Sequence, residues 1–266
     1  MLSIIKDKEA KKLIKKIKDM SSPTKFHYFN IVVRGCIFIA AIIVYISKRK
    51  EMEVFSFIDG ENFSWYFVLP VWLFFMVEAV LRLLPTKLDP RGCKKHFKSQ
   101  YMPTKETKSR HDSWKGVAIL GVVWIVANSI PAVLYFCGVI DQGILVLISL
   151  FYSVNDMICV LVACPLRDWF MKNRCCADCR IYNWDFLMMF TPLIFIPHFY
   201  TWSLVAVALV IFIKWEVSAF RHKERFCCNT NSAITCKNCT EKVCPHQKRL
   251  KKLNAKKQAN DKKVNV

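Results

Sequence analysis

Nine cysteines and one histidine of this chain fall into two tight groups. The first is Cys164, Cys175, Cys176 and Cys179; the second is Cys227, Cys228, Cys236, Cys239 and Cys244, followed by His246. Cys176/Cys179 and Cys236/Cys239 each have C-x-x-C spacing, in which two intervening residues turn both sulfurs toward one ion. Cys236, Cys239, Cys244 and His246 would satisfy zinc as a tetrahedral set, although the Cys244-x-His246 step is tighter than in common zinc fingers. An iron–sulfur cluster would draw on the thiolates alone. The expected chemistry is therefore a metal centre. The remaining cysteines, Cys36, Cys93, Cys137 and Cys159, read as small packing residues or isolated thiols.

The same dithiols support a second reading. Each lies beside basic residues that would favour its thiolate, which suits a membrane thiol–disulfide oxidoreductase passing electrons to a redox or protein partner. Structural disulfides are the bland alternative, and they require an oxidising compartment.

A third set of residues lies inside apolar runs: Glu78, Arg82, Asn128, Asn155, Asp156 and His198. Ionisable groups at membrane depth are costly, and they often line a path for ions or solutes. Glu78 and Arg82, four apart on one helix, are expected to pair with each other. Asp156 has no basic residue nearby in sequence, so it would act on a solute or share a proton with Arg82 or Asn128. This set suits a small transporter or ion-conducting protein.

The elements that must position these groups are membrane helices. The chain has 266 residues, 54% of them hydrophobic, and a mean hydropathy of +0.24. Segments 29–47, 65–84, 116–137 and 143–163 each approach or exceed the ~20 residues that cross ~30 Å of hydrocarbon. A fifth stretch, 185–215, would reach ~46 Å as one helix, and Pro192 and Pro197 interrupt it. It is expected to be either one long kinked helix or a proline-broken helical hairpin or re-entrant segment. The fold class is thus all-α, a multi-pass integral membrane protein with five or six membrane segments.

Charge separates the two forms. Basic residues in short flanking segments stay cytoplasmic. With the N-terminus inside, five crossings leave 20 Lys and Arg inside and 16 outside, whereas a hairpin leaves 33 inside and 3 outside. The hairpin is the expectation, with both termini cytosolic in the cell membrane. The tryptophans at 65, 114, 169, 184, 202 and 215 lie near span ends and read as interfacial anchors.

Four regions follow. Residues 1–28 form a basic amphipathic segment, with Leu13, Ile17 and Met20 on one helical face suited to an anionic inner leaflet. No cleavable leader is read there, so the first span is expected to act as a signal-anchor. Residues 29–215 form the helical domain, 216–247 a cysteine-rich juxtamembrane tail and 248–266 a basic, disordered end. The formal charge of +20 is accounted for by orientation and leaflet contact, which leaves the bilayer as the expected partner and nucleic acid outside it. Motifs for nucleotide binding, Rossmann cofactors, zincins and serine hydrolases are absent.

Overall fold

The computed structural model describes residues 22–48, 64–84, 96–104, 114–161, 164–166, 169, 179–235 and 238. The chain is all-α. Among the described residues there is no strand, only one isolated antiparallel bridge between Pro103 and Asn231. Helices α1 (Ser22–Lys48), α2 (Ser64–Leu83), α3 (Trp114–Phe136) and α4 (Gln142–Leu161) come first. A short helix, α5 (Asp185–Phe190), lies between two 3-10 turns, and α6 (Phe199–Arg221) closes the bundle. Four helices, over Lys25–Ser47, Lys115–Phe136, Gln142–Leu161 and Phe199–Arg221, are long and apolar enough to cross a membrane.

The α3–α4 turn follows from its residues. Gly138 has φ +72°, a left-handed conformation that glycine adopts at little cost. It lets Val139 N donate to Leu134 O and Gly138 N to Tyr135 O, the Schellman closure of a helix end. Asp141 then starts α4 by accepting from Ile144 N at 2.9 Å, and its other oxygen accepts from Tyr45 Oη at 2.8 Å.

The stretch from 185 to 215 is not one kinked helix. Residues Arg180–Trp184 form a 3-10 turn, α5 follows, and Thr191–Phe195 form another 3-10 turn around Pro192. The chain reverses at Ile196–His198. His198 caps α6, and Thr201 Oγ1 donates to the carbonyls of Ile196 and His198. Trp202 Nε1 reaches Ile194 O near the turn, while Trp184 Nε1 reaches Glu216 Oε1 at the other end. This register is an antiparallel helical hairpin. Its first arm, Arg180–Phe195, spans ~29 Å by the rise of its α and 3-10 turns.

Side-chain registers fix the remaining directions. Arg34 meets Asp156 while Tyr45 meets Asp141, so α1 and α4 run antiparallel. Asn30 and Arg34 meet Glu78 while Arg34 overlies Phe75, so α1 and α2 do too. Trp72 meets Ser203 and Lys214 meets Leu83, so α2 and α6 run parallel. Trp124 packs on Tyr152 and Tyr135 meets Gln142, so α3 and α4 are antiparallel. The starts of α1, α3 and the hairpin therefore lie at the same end as the finishes of α2, α4 and α6. The sequence joined at that end carries 33 Lys and Arg, against 3 at the other; the first is called the basic end below.

The bundle has an apolar core, which includes Phe75, Leu145, Phe186, Phe190 and Ile211, and it buries polar side chains as well while leaving apolar ones exposed. His27, Asn30, Arg34, Asn128, Ser149 and Ser153 are buried, whereas Val32, Ile39, Ile43, Ile125, Ile130, Val133 and Ile213 are exposed on helix faces. At the basic end, residues 96–104 clasp residues 225–235. Met102 N donates to Asn231 Oδ1, Ser232 N to Met102 O and Thr104 N to Thr230 O. His96 stacks on Phe226 at 4.2 Å beneath Trp215. Trp215 is accordingly core rather than an interfacial anchor, because its ring closes this clasp. Trp169 and Trp202 are exposed as anchors would be.

Candidate functional site

The site is built on Arg34, the largest fully buried side chain among the described residues. His27, Asn30 and Arg34 recur at i, i+3 and i+7 on α1, which turns all three inward. Arg34 donates to Glu78 Oε2 at 2.8 Å, to Asp156 Oδ2 at 3.1 Å and to the Ser153 carbonyl at 2.8 Å. Its guanidinium stands 5.7 Å from the Phe75 ring centre. The fork of a guanidinium suits this bridging of two carboxylates from two helices. Asn30 Nδ2 adds a 3.0 Å bond to Glu78 Oε1.

A second pair adjoins the first. Arg82 binds Asp185 at the head of α5 and lies over the rings of Tyr182 and Phe186. Asp185 Oδ1 also accepts from Phe186 N at 3.0 Å. Both arginines act through space on both Asp156 and Asp185. Glu78, Asp156, Asp185, Arg34 and Arg82 thus form one cluster drawn from α1, α2, α4 and α5, its arginines buried and its carboxylates partly buried.

Arg34 and Asn30 engage Glu78, and Asp185 is an ion-pair partner of Arg82. Asp156 does have a basic partner, supplied by α1 and not by its own helix. Asn128 donates to Trp124 O one turn back, and its Oδ1 has no hydrogen-bond partner among the described residues. His198 belongs to the turn at the opposite end, where its ring stacks on Tyr200.

A cavity of about 150 Å³ opens beside the cluster. Asp156, Asn155 and Asp185 line it together with Trp124, Tyr152 and Tyr182. Cys159, Cys164 and Cys179 also line it, from α4 and from either side of the segment that precedes the hairpin. Cys179 is buried, and Cys227 is buried separately in the clasp, with Cys228 beside it. Among the described residues, no group of three or more His, Cys, Asp or Glu side chains is arranged to hold a metal ion. Cys175, Cys176, Cys236, Cys239, Cys244 and His246 lie outside the described residues.

No family model, curated protein or solved structure matches this chain. The reading of the site therefore rests on its own chemistry.

Sequence reasoning missed Arg34, and its signal was present. A stripe of His27, Asn30 and Arg34 at helical spacing inside an otherwise apolar run marks an inward polar face. Asp185 was visible as well, as the acid opening the fifth apolar stretch.

Proposed function

We propose that this chain is a six-segment integral membrane protein of the cell membrane, with both termini cytosolic, that binds and carries a small solute. The observation that carries the reading is the buried placement of Arg34 between Glu78 and Asp156, beside a cavity that Asp156 also lines. Such a cluster is expensive at membrane depth, and replacing it by apolar packing is often neutral or stabilising, so function is a reason to retain it. The arm from Arg180 to Phe195 supports the reading. Its passages between α and 3-10 geometry loosen carbonyls from regular helix bonds, and Ser149 Oγ donates to one of them, Met189 O. The test is reconstitution in vesicles with a panel of small solutes. Asp156→Asn should abolish flux while leaving folded protein at wild-type abundance. Unchanged flux, or loss of the folded protein, overturns the working role of Asp156.

A second reading concerns the basic end. The hairpin sets Cys179 before its first arm and Cys227 after its second, and Cys164 and Cys179 share one cavity. This favours a zinc or iron–sulfur centre completed by the other cysteines of the two groups. Anaerobically purified protein should then contain zinc or iron by elemental analysis. If neither metal is present and oxidation reversibly protects two cysteines from alkylation, the thiol–disulfide reading replaces it.

A further inference from the structure

We propose that the cavity beside Asp156 binds a small organic monocation of about one aromatic ring, an arylalkylammonium, with its charge on Asp156 Oδ1. This rests on the carrier reading above and names its substrate class.

The first argument is hydrogen-bonding capacity. Glu78 accepts at both oxygens, from Asn30 and Arg34. Asp185 accepts at both, from Arg82 and Phe186 N. Asp156 accepts from Arg34 at Oδ2 only, and its Oδ1 receives no hydrogen bond among the described residues. The side chain of Asp156 is 18% exposed, against 1% for Arg34, so the carboxylate reaches open space while its partner does not. That space is the cavity.

Charge count points the same way. Among the described residues, three acidic side chains, Glu78, Asp156 and Asp185, stand with two arginines, Arg34 and Arg82. His27 lines a small neighbouring space with Glu78 and Arg82. By count the acids exceed the arginines by one, which suits a monocation.

The third argument is the wall. Trp124 and Tyr152 pack with ring centres 5.0 Å apart, and Tyr182, Met188 and Met189 continue the surface. Aromatic faces attract organic cations, and a cavity of this size takes a benzene-sized group. A hard cation such as calcium or magnesium needs several oxygen ligands, and Asp156, Asn155 and Asp185 stand among walls that are otherwise mostly carbon and sulfur. Cys164, Leu166 and Cys179 line the part toward the basic end.

The test uses the full chain in lipid nanodiscs and three probes of similar size: 2-phenylethylammonium, 2-phenylethanol and phenylacetate. The cation should bind about tenfold or more tightly than the neutral alcohol, since a charge-assisted hydrogen bond to a carboxylate is worth at least that ratio. Phenylacetate should bind weakest. Asp156→Asn should erase the preference for the cation, and Tyr152→Leu should weaken cation and alcohol alike. Equal binding of all three probes to the wild-type protein, or no binding of the cation, overturns the proposal without reliance on any variant. Binding of the cation without flux in vesicles keeps this inference and removes the carrier reading. Asp156-dependent flux of some other solute, with no amine binding, does the reverse.

Discussion

At the residue scale, Arg34 and Asp156 should behave oppositely on substitution, although they are partners. Arg34→Met leaves three carboxylates facing one guanidinium in a buried site. Breaking a buried pair from one side costs about 3–5 kcal/mol, so this variant should lose most folded protein, read as a collapsed monodisperse peak in detergent chromatography. Asp156→Asn leaves two carboxylates facing two guanidiniums and keeps the shape of the side chain. Its melting temperature should match or exceed the wild type. A large loss of stability in Asp156→Asn would show that its charge holds the bundle together, and the imbalance argument would fall.

At the element scale, the α3–α4 connection is where two helix ends are made by single residues. Gly138→Ala places a β-carbon in the left-handed region, at a cost of about 1–2 kcal/mol. Asp141→Ala removes the acceptor of Ile144 N and the partner of Tyr45, with an expected cost of about 1 kcal/mol or more. Gly143→Val should be the most damaging, because even a β-carbon there lies 2.8 Å from the Tyr45 ring. Thermal melts of the three variants should rank in that sense. A Gly143→Val protein as stable as wild type would mean that α1 and α4 do not meet at this turn.

At the scale of the whole molecule, the directions of the helices and the distribution of charge agree. Reporters fused after residues 100, 175 and 250 should read cytoplasmic, and those after 55 and 140 external. An external signal at 175 or 250 would remove the hairpin topology. The clasp between residues 96–104 and 225–235 adds a further expectation. Asn231→Ala removes the acceptor of Met102 N and Ala233 N and the donor to Arg225 O. Limited proteolysis should then cut within 225–235 faster than in the wild type, with the apolar helices unchanged.

The apolar runs made the all-helical architecture legible from sequence, because a helix that must satisfy its own backbone in hydrocarbon leaves long uncharged stretches. Pro192 and Pro197 likewise marked the stretch from 185 to 215 as kinked or broken, since neither can donate a helix hydrogen bond. The strong asymmetry of Lys and Arg favoured the hairpin before any register was known. What sequence could not decide was partnership. Asp156 lies 122 residues from Arg34, and Arg82 lies 103 residues from Asp185. Pairing across such separations depends on which helix faces meet, and spacing within one helix reaches only neighbours such as Glu78 and Arg82. Only the packing of α1 against both α2 and α4 brought Arg34 to two acids at once. It also set Asp156, which Arg34 binds at Oδ2, in the wall of a cavity.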